Sequence, residues 1–168
     1  FGSPSVLGTR PGGAIAAAWA VMNYLGASGY LDLTRRAMDA TTRLIAGVRA
    51  IPGLTVLGAP IMSCFAIGRV EGDAEAPDLY VLAERMHARG WRLDKQQAPV
   101  SLHLTVSPAH DAVANTFLAD LEACARELRG SNEQPEGAAA MYGMLGSLPD
   151  RGVVREALLD FMDGMDAT

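Results

Sequence analysis

Lysine is almost missing from this chain: 168 residues carry one, Lys95. Chemistry built on a lysine amine therefore has a single candidate, and Lys95, between Asp94 and Gln96, is not placed like a catalytic one. Cysteine is nearly as scarce. Cys64 and Cys124 form no C-x-x-C and have no histidine at metal-ligand spacing, so they read as buried, reduced thiols of a cytosolic protein. Basic charge is short, with a formal net charge of -5, which argues against the basic stripe of a nucleic-acid interface. No apolar run approaches the roughly 18 residues needed to span a bilayer. Phe1-Gly2-Ser3-Pro4 lacks the basic and apolar regions of a signal peptide. Residue 1 is not Met, so the start reads as cut or processed. There is no internal repeat.

What is present is soluble globular material, 49% hydrophobic and 20% charged, long enough for one domain with a core plus an appended segment. Pro11 suits a first helical turn after Thr9 or Arg10, and residues 12–25 are mostly small, predicting a closely packed helix that ends at Gly26. With Ser28-Gly29 between them, a second helix follows, its Leu33, Ala37, Ala40, Leu44, Val48 and Ile51 at steps of three and four, until Pro52-Gly53 stops it. Residues 54–57 and 62–68 read as strands. Asp78 caps a helix bearing Leu79, Leu82, Ala83 and Met86 that ends at Gly90. Leu102, Leu104 and Val106 alternate with polar residues as in a strand with one buried face. Residues 111–129 form an amphipathic helix with Val113, Phe117, Leu121 and Leu128 on its apolar side. The expected class is α+β, with helices against one face of a small, mostly antiparallel sheet. Residues 130–137, Gly-Ser-Asn-Glu-Gln-Pro-Glu-Gly, have linker composition, followed by an apolar turn and a last helix over about 150–165 that would dock elsewhere.

Three features carry candidate chemistry. Gly8-Thr9-Arg10-Pro11-Gly12-Gly13 is either an anion seat, with the Thr9 hydroxyl and free N–H groups at a helix start, or a plain glycine-rich helix entrance capped by Thr9. It matches neither a Walker loop nor a strand-borne G-x-G-x-x-G. His87, His103 and His110 share no i, i+4 metal spacing; His103, on the polar side of its strand, faces a cleft, a helix or solvent, and Asp111 reads as a capping residue. No serine sits in a nucleophile elbow. Tyr142, in Met141-Tyr142-Gly143-Met144 beyond the linker, is either a hydrogen-bonding phenol at a site or an aromatic anchor for the tail. Met141, Met144, Met162 and Met165 read as adaptable packing.

Taken in order, several pieces resemble the C-terminal portion of the sphingosine-1-phosphate lyase-like family, in the group II decarboxylase branch of fold-type-I pyridoxal-phosphate enzymes. They are Ser3-Pro4, Gly8-Thr9-Arg10-Pro11-Gly12-Gly13, Gly26…Gly29-Tyr30, Ile51-Pro52-Gly53-Leu54, Arg89-Gly90-Trp91, Pro99-Val100-Ser101-Leu102-His103, Phe117-Leu118, Met141-Tyr142-Gly143-Met144 and Asp150-Arg151. The resemblance implies a pyridoxal 5'-phosphate-dependent carbon–carbon lyase that cleaves a phosphorylated amino alcohol to an aldehyde and phosphoethanolamine, cytoplasmic and homodimeric. The alternatives are a group II amino-acid decarboxylase, or a non-catalytic dimerisation or binding domain if the chain is complete. It also implies that the lysine, histidine and aspartate that hold the cofactor precede Phe1, so that this chain alone is inactive. Thr9, standing where the family commonly has serine, would reach the cofactor phosphate across a subunit interface, with Gly8 and Arg10 shaping the turn. Phe1 falls where the family often has tyrosine. Tyr142 would line the substrate cleft, and Lys95 carries no role. Residues 1–30 would end the large cofactor-binding domain and its linking helix, 31–130 form the small domain, and 131–168 a linker and docked helical tail. No metal is expected.

Overall fold

The computed structural model describes residues 11–135, together with Gly152 and Glu156. Within them a long helix, α1 (Gly12–Ala50), leads into a four-stranded sheet of β1 (Leu54–Val56), β2 (Cys64–Arg69), β3 (Asp94–Gln97) and β4 (Val100–Thr105). Helix α2 (Leu79–Ala88) intervenes between β2 and β3; a 3-10 turn (Pro108–Ala112) and α3 (Ala114–Leu128) follow β4. The strand order is β1-β2-β4-β3, with every neighbouring pair antiparallel. The α+β expectation is met.

Register decides the two faces of the sheet. Pairing Val56 with Ile67, Phe65 with Leu104 and Ile67 with Leu102 puts these residues on one side, because side chains alternate along each strand. That side is the core: it meets Ala40, Leu44 and Val48 of α1, Leu82 and Met86 of α2, and Leu121 and Cys124 of α3, all buried. The other face presents Cys64, Ala66, His103 and Thr105, and among the described residues no helix packs on it. Cys64 is thus exposed, contrary to the buried thiol expected, because the apolar run around it alternates and Cys64 falls on the uncovered side.

Helix α1 is broken at Gly26, whose φ of 58 and ψ of -178 lie where only glycine is at ease. The predicted stop at Gly26 is real, but the chain resumes helix at once, and Ser28 and Gly29 are helical. The second segment packs on the domain through Ala37, Ala40, Leu44 and Val48. The first, residues 12–25, stands off it as an exposed arm, with Ile15 at 63%, Trp19 at 64% and Tyr24 at 90% exposure. Pro52-Gly53 ends the helix as expected: Gly53 has φ 84, and a Cβ there would lie 3.0 Å from the Ala76 Cα.

Asp78 caps α2, accepting from the N–H groups of Tyr80 and Val81 at 2.8 and 3.1 Å. Strand β3 was not expected, since Asp-Lys-Gln-Gln has no β-branched or apolar residue to announce it. It forms by pairing with β4 and is held to α2 by the Tyr80 hydroxyl, which donates to the Gln96 carbonyl at 2.9 Å. The 3-10 turn that precedes α3 is capped by Ser107, whose N–H donates to His110 Nδ1 at 2.8 Å. Asp111 does not cap; its carboxylate is taken by Arg43 of α1 in an ion pair. Val113 sits half-exposed at the α3 N-cap, off the predicted apolar stripe, and Ala114 takes the buried place.

Candidate functional site

A cavity of about 320 Å³ opens where the end of β4, the 3-10 turn and the start of α3 meet the segment entering β3. Its floor is apolar and buried, made by Leu44, Val106, Ala114 and Phe117. Its rim is polar and carries Arg92, Asp94, His103 and His110. Trp91 forms a wall, and two contacts fix it: its indole N–H donates to Asp120 Oδ2 at 2.8 Å, and its ring meets Phe117 edge-on with centroids 5.3 Å apart.

The two histidines come to this rim by different routes. His103 faces the uncovered side of the sheet, opposite Asp94 across the β3–β4 pair, and its Nδ1 lies 3.8 Å from Asp94 Oδ2. His110 is held by the Ser107 cap. A ring whose Nδ1 accepts from a backbone N–H carries its proton on Nε2 and keeps that N–H to donate. Sequence spacing gave no reason to pair these histidines; the turn of β4 into the 3-10 segment does so. His87 lies exposed on α2, away from this cavity. Trp91 and Arg92 were missed as site residues, and the signal available was an aromatic immediately after the helix-stopping Gly90. Among the described residues no three His, Cys, Asp or Glu side chains gather as a metal site.

Burial pushes the Cys124 thiol up from its ordinary value, which keeps it protonated and unreactive. Asp73 is held below the usual carboxylate range, first by its hydrogen bond from Arg129 Nη1 at 3.0 Å.

The other sequence candidates fall elsewhere. Gly8, Thr9, Arg10 and Tyr142, like the tail after residue 135 apart from Gly152 and Glu156, lie outside the described residues. Lys95 lies on β3 opposite the buried Leu102, half-buried and away from the cavity. As a seat for pyridoxal phosphate the described residues do not fit: the cavity at the end of β4 has no lysine, and Lys95 sits on an edge strand outside it. Beyond the domain, the exposed arm carries an apolar patch of Pro11, Ala14, Ile15, Ala18, Trp19 and Met22. Among the described residues no helix is long and apolar enough to cross a membrane.

No family model matches the chain. Its fold recurs in glutamate decarboxylase of Lactobacillus brevis, with a TM-score of 0.61 at 16% identity over 70% of this chain and 28% of that one. The closer likeness is to the solved sphingosine-1-phosphate lyase of Burkholderia pseudomallei, with a TM-score of 0.67 and 37% identity over 79% of this chain and 29% of that one. Together these define the fold class, that of the C-terminal small domain of fold-type-I pyridoxal-phosphate enzymes. Within that class, the sphingosine-1-phosphate lyase of Oryza sativa is 39% identical over 163 residues, 96% of this chain. The chain is a homologue of sphingosine-1-phosphate lyases over nearly its whole length, and it spans about 29% of the length of that relative.

Proposed function

We propose that this chain is the C-terminal part of a pyridoxal-phosphate-dependent carbon–carbon lyase that cleaves a phosphorylated amino alcohol to an aldehyde and phosphoethanolamine. The observation that carries it is the 39% identity to a sphingosine-1-phosphate lyase across 96% of the chain. The decarboxylase reading has a relative of its own, a probable L-tyrosine/L-aspartate decarboxylase of Methanothrix thermoacetophila that is 35% identical over 119 residues, but that match covers 70% of this chain against 96% for the lyase. Pyridoxal phosphate would supply the electron sink for breaking the bond beside the amine carbon. Under this proposal its anchoring lysine belongs to the remainder of a larger polypeptide, which is supported by the chain spanning 29% of the length of its lyase relative. In this reading Thr9, with Gly8 and Arg10, reaches the cofactor phosphate of a neighbouring subunit, and Tyr142 lines the substrate cleft.

The division into residues 1–30, 31–130 and 131–168 is part of the proposal. The arm supports it: residues 12–25 leave Ile15, Trp19, Val21 and Met22 exposed, a face of the kind that a large domain covers. In a homodimeric, cytoplasmic enzyme this arm would be internal. The test is an assay of the full-length enzyme with a phosphorylated long-chain amino alcohol, following aldehyde and phosphoethanolamine, beside a panel of amino acids. Aldehyde release supports the lyase, and carbon dioxide from an amino acid with no aldehyde overturns it. Borohydride reduction of the cofactor-loaded enzyme should trap an adduct upstream of Phe1. A stoichiometric adduct at Lys95 would refute the assignment of this chain as a supporting part.

A further inference from the structure

We propose that the cavity between β4, the 3-10 turn and α3 binds a small hydrophobic carboxylate, its apolar body on the floor and its charge at the rim. This reading stands on the cavity alone and does not rest on the lyase proposal. The floor of Leu44, Val106, Ala114 and Phe117 has no polar side chain, so what enters deepest must be hydrocarbon. A cavity of about 320 Å³ accepts a body the size of one aryl or short alkyl group.

Charge at the rim decides the other end of the ligand. Arg92, the arginine that lines this cavity, is exposed and makes no ion pair among the described residues. His110 offers an Nε2–H because Ser107 occupies its Nδ1. The one acidic rim group, Asp94, faces His103 at 3.8 Å. Two donors, Arg92 and the His110 N–H, thus stand at the rim against one carboxylate that lies beside His103, a balance that favours an anion over a cation. The walls are set in advance. Asp120 holds Trp91, Phe117 meets it edge-on, and the Ser107 cap holds His110, so little ordering is required on binding.

The probe is 3-phenylpropionate, titrated calorimetrically into the intact protein that carries these residues, with 3-phenylpropanol and 3-phenylpropylamine as neutral and cationic counterparts. Saturable binding of the acid is expected, with the alcohol and the amine each weaker by about fivefold or more, as for loss of one charge-assisted contact near the surface. Arg92→Gln should weaken the acid to the level of the alcohol and leave the alcohol unchanged. Thr105→Trp places bulk at an exposed rim position, where folding is not at stake, and should abolish binding of all three. A diazirine analogue of the acid should label peptides containing Trp91 or Phe117. Absence of saturable heat, equal affinity for acid and alcohol, tighter binding of the amine, or labelling confined to the exposed Trp19 arm would each overturn the proposal.

Discussion

Trp91 and Asp120 are joined by a 2.8 Å hydrogen bond from the indole N–H to the carboxylate, which ties the segment entering β3 to the middle of α3. Arg89 reinforces the tie, donating to the Asp120 carbonyl at 3.1 Å and lying 3.6 Å from its carboxylate. The indole is half-buried against Phe117, so removing its acceptor leaves a polar N–H poorly solvated. Asp120→Ala should lower stability by about 1–2 kcal/mol, read as a reduced urea midpoint at unchanged m-value. Glu127→Ala removes only an exposed partner of Arg89 at 3.2 Å and should cost less than about 0.5 kcal/mol. Equal costs for the two would show that the indole bond does not matter.

Most of this architecture was legible in the sequence, and the reasons for the exceptions are physical. The periodicity of Leu33 to Ile51 and the alternation of Leu102 to Val106 report burial directly, so the helix and strand they predict are present. Asp78 and Gly90 punctuate α2 through chemistry that is local to the turn. Strand β3 was invisible because its stability comes from pairing with β4 and from Tyr80, neither of which leaves a pattern in Asp-Lys-Gln-Gln. The cavity was only partly legible: His103 was placed on the correct face, but its meeting with Arg92 and His110 is a product of tertiary contact. Asp111 looked like a cap because caps are common for aspartate, yet a long-range partner, Arg43, claimed it.

The two thiols should separate cleanly in reactivity. Cys64 is exposed on the uncovered sheet face, its Sγ 3.7 Å from the Thr105 hydroxyl. Cys124 is buried among α3's core neighbours, and its thiol is pushed up by burial. An aromatic disulfide reagent should release one equivalent of thiolate from the native protein and the second only on denaturation. Cys64→Ser should abolish the native equivalent, and rapid release of both would show that α3 opens.

Acid should act through Asp73. Arg129 holds its carboxyl below the ordinary range, and the Glu75 N–H adds a bond at 3.0 Å. A depressed folded-state value means that the ionised form is favoured by folding. The stabilisation is thus present above the ordinary carboxylate value and is lost as pH falls through the folded one. Wild type should therefore melt higher than Asp73→Asn at neutral pH, and the gap should close on acidification. A gap that stays constant down to strongly acid pH would assign it to packing instead of charge.

The proposed roles of Thr9 and Tyr142 lie outside the described residues and are testable in the full-length enzyme. If Thr9 donates to a cofactor phosphate, Thr9→Val should weaken pyridoxal-phosphate affinity by roughly 1–3 kcal/mol, with Thr9→Ser largely restoring it. Tyr142 follows a run of linker composition and is flanked by Gly143 and two methionines, a setting suited to a side chain that closes over a cleft. Tyr142→Phe keeps the ring and removes only the hydroxyl, so a packing anchor would tolerate it. The expected result is a fall in turnover of about tenfold or more, as for loss of a group acting in the transition state, with cofactor binding and melting temperature unchanged. Wild-type turnover in Tyr142→Phe would reduce the residue to an anchor for the tail. A loss of cofactor affinity in the same variant would place it on the phosphate side with Thr9 instead.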